Sequence, residues 1–229
     1  MLNVFGSVQI GTVNIKKDYL NLDVDTDVRT YNPNTTCTIY ATTTIGKSGA
    51  TNSDQMLTVY GEIGAKKQTI NAADYAEYFE WSDGNPNSED RMGYFVALNT
   101  DGKIKIASAA DNIIGIVSSN PGVIGNAADD EWCNKYLKDD FGRYILDANG
   151  AMQLNPEYDD TREYIPRSQR KEWAVVGMMG QIIMYDDGTC TPSGFCASTN
   201  DGKATAASGC TNIIMLSRIK ENIIKVFIK

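Results

Sequence analysis

The stretch Asp101-Gly-Lys103-Ile-Lys-Ile-Ala107-Ser108-Ala-Ala-Asp-Asn112-Ile-Ile114 returns one hundred residues later as Asp201-Gly-Lys203-Ala-Thr-Ala-Ala207-Ser208-Gly-Cys-Thr-Asn212-Ile-Ile214. Eight of these fourteen positions are identical and the alignment has no gap. Each copy opens on Asp-Gly, the dipeptide that supplies the positive φ of a tight hairpin turn. Asp83-Gly84, Asn149-Gly150 and Asp187-Gly188 punctuate other β-rich runs such as Gly93-Tyr-Phe-Val-Ala-Leu98. The pattern predicts two related hairpin units inside one β domain, residues 74–229.

Upstream, Leu20, Leu22, Val24 and Val28 alternate with Asn21, Asp23, Asp25, Asp27 and Arg29, the period-two signature of a strand with one solvated face. Leu2-Asn-Val-Phe-Gly6-Ser-Val8 is echoed by Leu57-Thr-Val-Tyr-Gly61-Glu-Ile63. Strand, glycine, strand recurring in this way suits successive rungs of a fibre, although two unrelated strands that each end in glycine fit the same residues. Residues 1–73 therefore read as the end of a fibre-like β stem. Between the hairpin units, residues 125–170 carry the acidic pairs Asp129-Asp130, Asp139-Asp140 and Asp159-Asp160 beside Arg162, Arg167, Arg170 and Lys171. This excursion reads as a charge-docked segment with a short helix over Asp129 to Leu137; Pro166 to Glu172 is a second helical candidate. The expected fold is mainly β: a short N-terminal fibre-like stem, then a compact domain with two related hairpin units and one or two short helices.

Composition narrows the chemistry. The chain has 229 residues, 42% of them hydrophobic, enough to bury a substantial core. Twenty-one Lys and Arg against 29 Asp and Glu give a formal net charge of -8, a field that repels nucleic acid and anionic membrane surfaces. There is no histidine, which removes Ser-His-Asp and Cys-His catalysis and any His-ligated zinc. The five cysteines, Cys37, Cys133, Cys190, Cys196 and Cys210, include no CxxC pair and read as small core residues of a protein made in a reducing cytoplasm. Met1 to Ile10 does not read as a signal peptide, and no run of about 18 apolar residues suggests a membrane span. Gly46-Lys47-Ser48 lacks the first P-loop glycine, since position 41 is Ala41, and Asp23-Val-Asp25-Thr-Asp27 lacks the glycine and glutamate of a calcium loop. No metal or cofactor is expected.

One constellation stands out. Ala73-Asp74-Tyr75-Ala76-Glu77-Tyr78-Phe79-Glu80-Trp81 packs three carboxylates and four aromatics into eight residues at the stem–domain junction. On a helical turn, Asp74 and Glu77 share a face with Cβ atoms roughly 5 to 6 Å apart, close enough to split their pKa values into an acid and a base. An acidic amphipathic turn whose aromatics plug the base of the domain fits the same residues.

These residues also resemble a known family. Asp74-Tyr-Ala-Glu77-Tyr-Phe-Glu-Trp81-Ser-Asp-Gly84-Asn-Pro86 and Glu89-Asp-Arg91-Met-Gly93-Tyr-Phe-Val96 are similar to the opening of the intramolecular-chaperone auto-processing domain at the C-terminus of bacteriophage tail spikes and neck appendages. Ile114-Gly-Ile-Val-Ser118-Ser-Asn-Pro121, Glu131-Trp132, Arg162-Glu-Tyr-Ile-Pro166-Arg167 and Glu172-Trp-Ala-Val-Val176-Gly177 extend the likeness over residues 74–229. The resemblance implies a homotrimerising chaperone that sets the rest of its spike protein in register and then cuts itself off, with no nucleic-acid or membrane partner. It implies a single-turnover, carboxylate-dependent peptidase that severs the Ala73-Asp74 bond through Asp74 and Glu77. The family often has Ser before that Asp; this chain has Ala73. Attack by the Asp74 carboxylate on the Ala73 carbonyl would close a six-membered ring and needs no hydroxyl at position 73. The implied setting is the cytoplasm of an infected bacterium during assembly, the stem remaining on the virion. The competing reading is a non-catalytic fibre cap or receptor tip, with Tyr and Trp exposed for carbohydrate.

Overall fold

The computed structural model describes residues 63–127 and 134–229. Those from Ala65 onward belong to one compact unit. The alternating pattern of residues 20–28, the paired motif at 2–8 and 57–63 (Ile63 apart), Cys37 and Cys133 lie outside the described residues. Within them the chain is mainly β. The strands are β1 (Asp74–Glu80), β2 (Phe95–Leu98), β3 (Ile104–Ile106), β4 (Ile113–Val117), β5 (Val123–Gly125), β6 (Trp173–Tyr185), β7 (Cys196–Ser198), β8 (Ala204–Ala206), β9 (Ile213–Lys220) and β10 (Ile223–Ile228). Eight form one sheet in the order β3-β2-β4-β6-β1-β5, with β10 joining β6 to β9; β7 and β8 form a separate pair.

The two hairpin units fold alike. The Gly102 N–H donates to the Asn99 carbonyl and the Gly202 N–H to that of Thr199, and both glycines sit at φ +77°. Asn99 and Thr199 donate to the carbonyls of Lys103 and Lys203, and Ala107 and Ala207 to those of Phe95 and Phe195. The second turn rests on the first unit, where Phe95 N–H donates to the Gly202 carbonyl at 2.7 Å.

Alternation along the strands builds the core. On β10, Ile224, Val226 and Ile228 face inward and are essentially fully buried, meeting Ile182, Met184, Ile213 and Met215. A second cluster gathers Trp81, Val96, Ile104, Val117 and Val176. Burying side chains of this size contributes roughly 1.5 to 3 kcal/mol each. Cys190 and Cys196 lie in the first cluster, whereas Cys210 is exposed, so not every described thiol is a core residue.

The excursion contains no α-helix where it is described. Its middle is a closed ring of three short segments: Ile145 N–H donates to the Leu137 carbonyl, Gln153 to Ile145, and Leu137 back to Gln153, at 2.9 to 3.0 Å. The spacing is eight residues, and the sequence follows it in Tyr136, Tyr144 and Met152 and in Asp139, Asp147 and Asn155. Asp139 and Asp147 do not dock the segment by charge. Their Oδ1 atoms accept from the N–H groups two and four residues on and so fix their own turns. The helix expected over Asp129 to Leu137 fails at its C-terminal end, where Tyr136 bridges to Leu154. The second candidate is a single 3₁₀ turn, Arg167–Gln169.

Asp186, 1% exposed, is held bidentately by Arg218 at 2.9 and 2.8 Å, and the same guanidinium donates to the carbonyls of Glu221 and Cys190. One side chain thus ties the ends of β6 and β9 to the loop between them. Arg218→Met leaves a buried carboxylate unpaired, and the midpoint of thermal unfolding at neutral pH is expected to fall by about 5 °C or more. An unchanged midpoint in a calorimetric or circular-dichroism melt would show that the pair is dispensable.

Candidate functional site

The Asp74–Glu77 pair lies on a strand, which alters its geometry. Successive side chains of β1 point to opposite faces: Asp74, Ala76 and Tyr78 are buried, while Tyr75 is exposed and Glu77 half-buried on the other side. The expected helical turn, with both carboxylates on one face, is therefore corrected. Two neighbours impose the extended form, because β1 pairs antiparallel with β6 along its whole length and parallel with β5 at residues 75–77. Ladder bonds on both edges outweigh the local helix propensity of Ala and Glu.

Glu77 belongs to the solvent side. Its Oε1 accepts from the Tyr75 hydroxyl at 2.5 Å, and this bond raises the pKa of the phenol. Gly125 makes room for the pair, since a Cβ there would lie 2.8 Å from the Tyr75 hydroxyl and 3.0 Å from Glu77 Cγ.

Asp74 belongs to the inside. It is 7% exposed and its Oδ2 has no hydrogen-bond partner among the described residues. Burial pushes its carboxyl above the usual carboxylate range, and a hydrogen bond from Ser118 pulls it part of the way back. Gly177 on β6 leaves space for the carboxyl; a Cβ at that position would sit 2.8 Å from Oδ2.

The peptide bonds on either side of Asp74 are each held by one hydrogen bond. The Gln181 N–H donates to the Ala73 carbonyl at 3.2 Å, and the Gly122 N–H donates to the Asp74 carbonyl at 2.9 Å. Strand β6 comes this close because residue 180 is glycine. Gly180 has φ +110°, a conformation that disfavours side chains, and a Cβ there would overlap the Ala73 carbonyl oxygen. Ala73 itself is exposed and borders a cavity of about 210 Å³, lined also by Asp74, Ser118, Asn120, Gln181 and Lys225. The sequence singled out Ala73, Asp74 and Glu77 as candidates and gave no site role to their neighbours Ser118, Gly177, Gly180 and Gln181. The available signal was the pair of glycines in Gly177-Met-Met-Gly180, which interrupt an otherwise apolar strand where another backbone approaches.

Comparison with known proteins gives the family. The family model Peptidase_G2, described as the IMC autoproteolytic cleavage domain, matches residues 30–222, a stretch that crosses the Ala73-Asp74 bond. The chain belongs to this family. It is 35% identical over 181 residues to the pre-neck appendage protein of Bacillus phage B103, covering 74% of this chain and 20% of that protein. It is 38% identical over 125 residues to the pre-neck appendage protein of Bacillus phage phi29, covering 51% of this chain and 14% of that one. The chain thus spans a fifth or less of the length of these relatives. Among solved structures, pre-mature bacteriophage phi29 gene product 12 superposes with a TM-score of 0.61 at 30% identity, covering 75% of this chain and 24% of that one. The C-terminal fragment of the same gene product gives 0.55 at 33% identity, covering 68% of this chain and all of the fragment.

The buried carboxyl yields a stability prediction whose sign follows from its raised pKa. With a folded pKa above the unfolded value near 3.8, wild type carries no penalty below that value and loses stability as pH rises toward the folded pKa. Asp74→Asn should therefore melt about 2 to 4 °C higher than wild type at pH 7. The difference should shrink toward zero near pH 3, and melts recorded at the two pH values check it.

Proposed function

We propose that this chain is the self-removing chaperone portion of a phage appendage or tail-spike protein, and that it severs its own backbone between Ala73 and Asp74. The observation that carries this reading is the Ala73 carbonyl held by the Gln181 amide directly beside a buried carboxyl with an unpaired oxygen. Such a carboxyl is poised to give up or accept a proton at the reacting bond, or to attack it, and the exposed Ala73 gives water access to the same bond. Family membership and the likeness to both a pre-mature gene product and its C-terminal fragment support a chain that is made long and then divided. The cut would leave residues 1–73 as the end of the stem and residues 74–229 as the released domain.

Asp74 and Glu77 leave opposite faces of β1, and that favours division of labour between chains. Asp74 serves the bond of its own chain, while Glu77, outward beside Tyr75, is placed to act as general acid or base at a neighbouring copy. A homotrimer would supply that neighbour. Cleavage would then report assembly, and removal of the template would leave the stem kinetically trapped in its assembled form. Assembly inside the infected bacterium and retention of the stem on the virion complete the reading. The carbohydrate-tip alternative loses support from the two described tryptophans: Trp81 is 2% exposed, and Trp173 lies beneath the guanidinium groups of Arg167 and Arg170, 3.8 and 5.3 Å from its ring centre.

Intact-mass measurement of purified protein should find fragments divided before Asp74. Glu77→Gln and Asp74→Asn should each slow cleavage by roughly a hundredfold or more, the scale of losing a positioned proton-transfer group. Cleavage per chain should rise with protein concentration. Full-length mass after prolonged incubation would overturn the peptidase reading, and a concentration-independent rate would overturn the contribution between copies.

A further inference from the structure

Resting on the self-cleavage reading, we infer that the Gln181 backbone N–H and the Lys225 ammonium together form the oxyanion site for cleavage of the Ala73-Asp74 bond.

Gln181 already touches the reacting atom. Its N–H points at the Ala73 carbonyl oxygen, the atom that gains negative charge when the carbonyl carbon is attacked. At 3.2 Å the contact is looser than an ordinary amide hydrogen bond, leaving room to tighten as charge develops. The donor is a backbone group on the central strand β6, so its direction is set by the sheet and costs little to reorganise. Gly180 is the residue that makes the approach possible, since its missing Cβ is what keeps the Ala73 oxygen from being pushed away.

One neutral donor leaves most of an oxyanion's charge uncompensated. The second group is Lys225, which lines the same cavity as Ala73 and Asp74. It sits on β10 opposite Ile183, two residues beyond Gln181 on β6. Unlike Lys103, Lys105 and Lys203, which are paired with Glu80, Asp111 and Asp201, Lys225 has no ion-pair partner among the described residues. Lys225, a half-buried residue at the wall of a cavity that Ala73 and Asp74 border, supplies the missing positive charge. Asp74 is the acidic side chain bordering that cavity, and burial raises its pKa above the ordinary carboxylate value.

The step balances whichever oxygen attacks. A water oxygen or an Asp74 carboxylate oxygen bonds to the Ala73 carbonyl carbon, and the carbonyl π pair moves onto oxygen between Gln181 and Lys225. Collapse re-forms the carbonyl and breaks the bond to the Asp74 nitrogen, which takes up a proton and leaves as an amine. Where the carboxylate attacks, a water then hydrolyses the resulting anhydride. In both cases one water is consumed and Ala73 ends as a carboxylate.

The test follows cleavage of the full chain by intact mass between pH 4 and pH 9, comparing wild type with Lys225→Met, Lys225→Arg and Gly180→Ala. Lys225→Met should lower the rate constant about tenfold or more by the same factor at every pH, with an unchanged melting profile. Lys225→Arg should recover most of the loss. Gly180→Ala, which displaces the amide donor, should also cleave slowly. A Lys225→Met chain that cleaves at the wild-type rate overturns the assignment of Lys225 and leaves self-cleavage standing. So does a variant whose pH profile shifts while its plateau is unchanged, because the lysine would then act only by tuning Asp74. Absence of cleavage in wild type overturns the underlying reading instead.

Discussion

Everything at the site depends on the antiparallel pairing of β1 with β6. That ladder sets Asp74 opposite Gly180 and Ala76 opposite Gly177, and the bulge between them, which gives β6 one extra residue, carries the Gln181 amide onto the Ala73 carbonyl. Neither glycine is replaceable without moving the strand. At Gly177 a side chain would meet both Asp74 Oδ2 and Ile182, and at Gly180 it would meet the backbone of residues 73 and 74. Close backbone approach, usually a packing detail, here holds the Gln181 amide against one particular carbonyl, that of Ala73.

The rest of the domain holds β6 still. Its 13 residues are flanked by β1, β4 and β10, and its far end is clamped where Arg218 grips Asp186. Gly180 is paired with Asp74 on β1 and Ile228 on β10, so the strand is braced at the very residue that must stay close to Ala73. The inward Ile224, Val226 and Ile228 anchor β10 by burial, while Lys225 between them is turned toward the cavity wall. Core alternation and site chemistry are thus two faces of one strand.

The hairpin units were legible in the sequence because their turns are local: an Asp-Gly pair and its hydrogen bonds fall within five residues. The acidic pair stood out in the sequence as a candidate, but its geometry did not. The segment Asp74 to Glu80 contains good helix formers, and only partners about fifty and a hundred residues away make it a strand. The eight-residue period of the excursion was obscured because Gln153 replaces the apolar residue at its third turn and Tyr158 replaces the glycine. Gln181 was invisible for a deeper reason: its contribution is a backbone N–H, which every residue but proline has, and only the fold says where it points.

That dependence on the fold bears on timing. Residues 73 and 181 are far apart in the chain, so the amide can meet the carbonyl only after β1 and β6 have paired across a long loop, one of the slower events in assembling a β domain. In an extended or collapsed chain the Ala73-Asp74 bond is an ordinary peptide beside an ordinary, solvated carboxylate. Folding alone raises the Asp74 pKa, strips its Oδ2 of partners and brings up the donor. If the domain severs its backbone at this bond, as proposed, the cut waits until the structure has been acquired, the order of events that a self-removing chaperone would need.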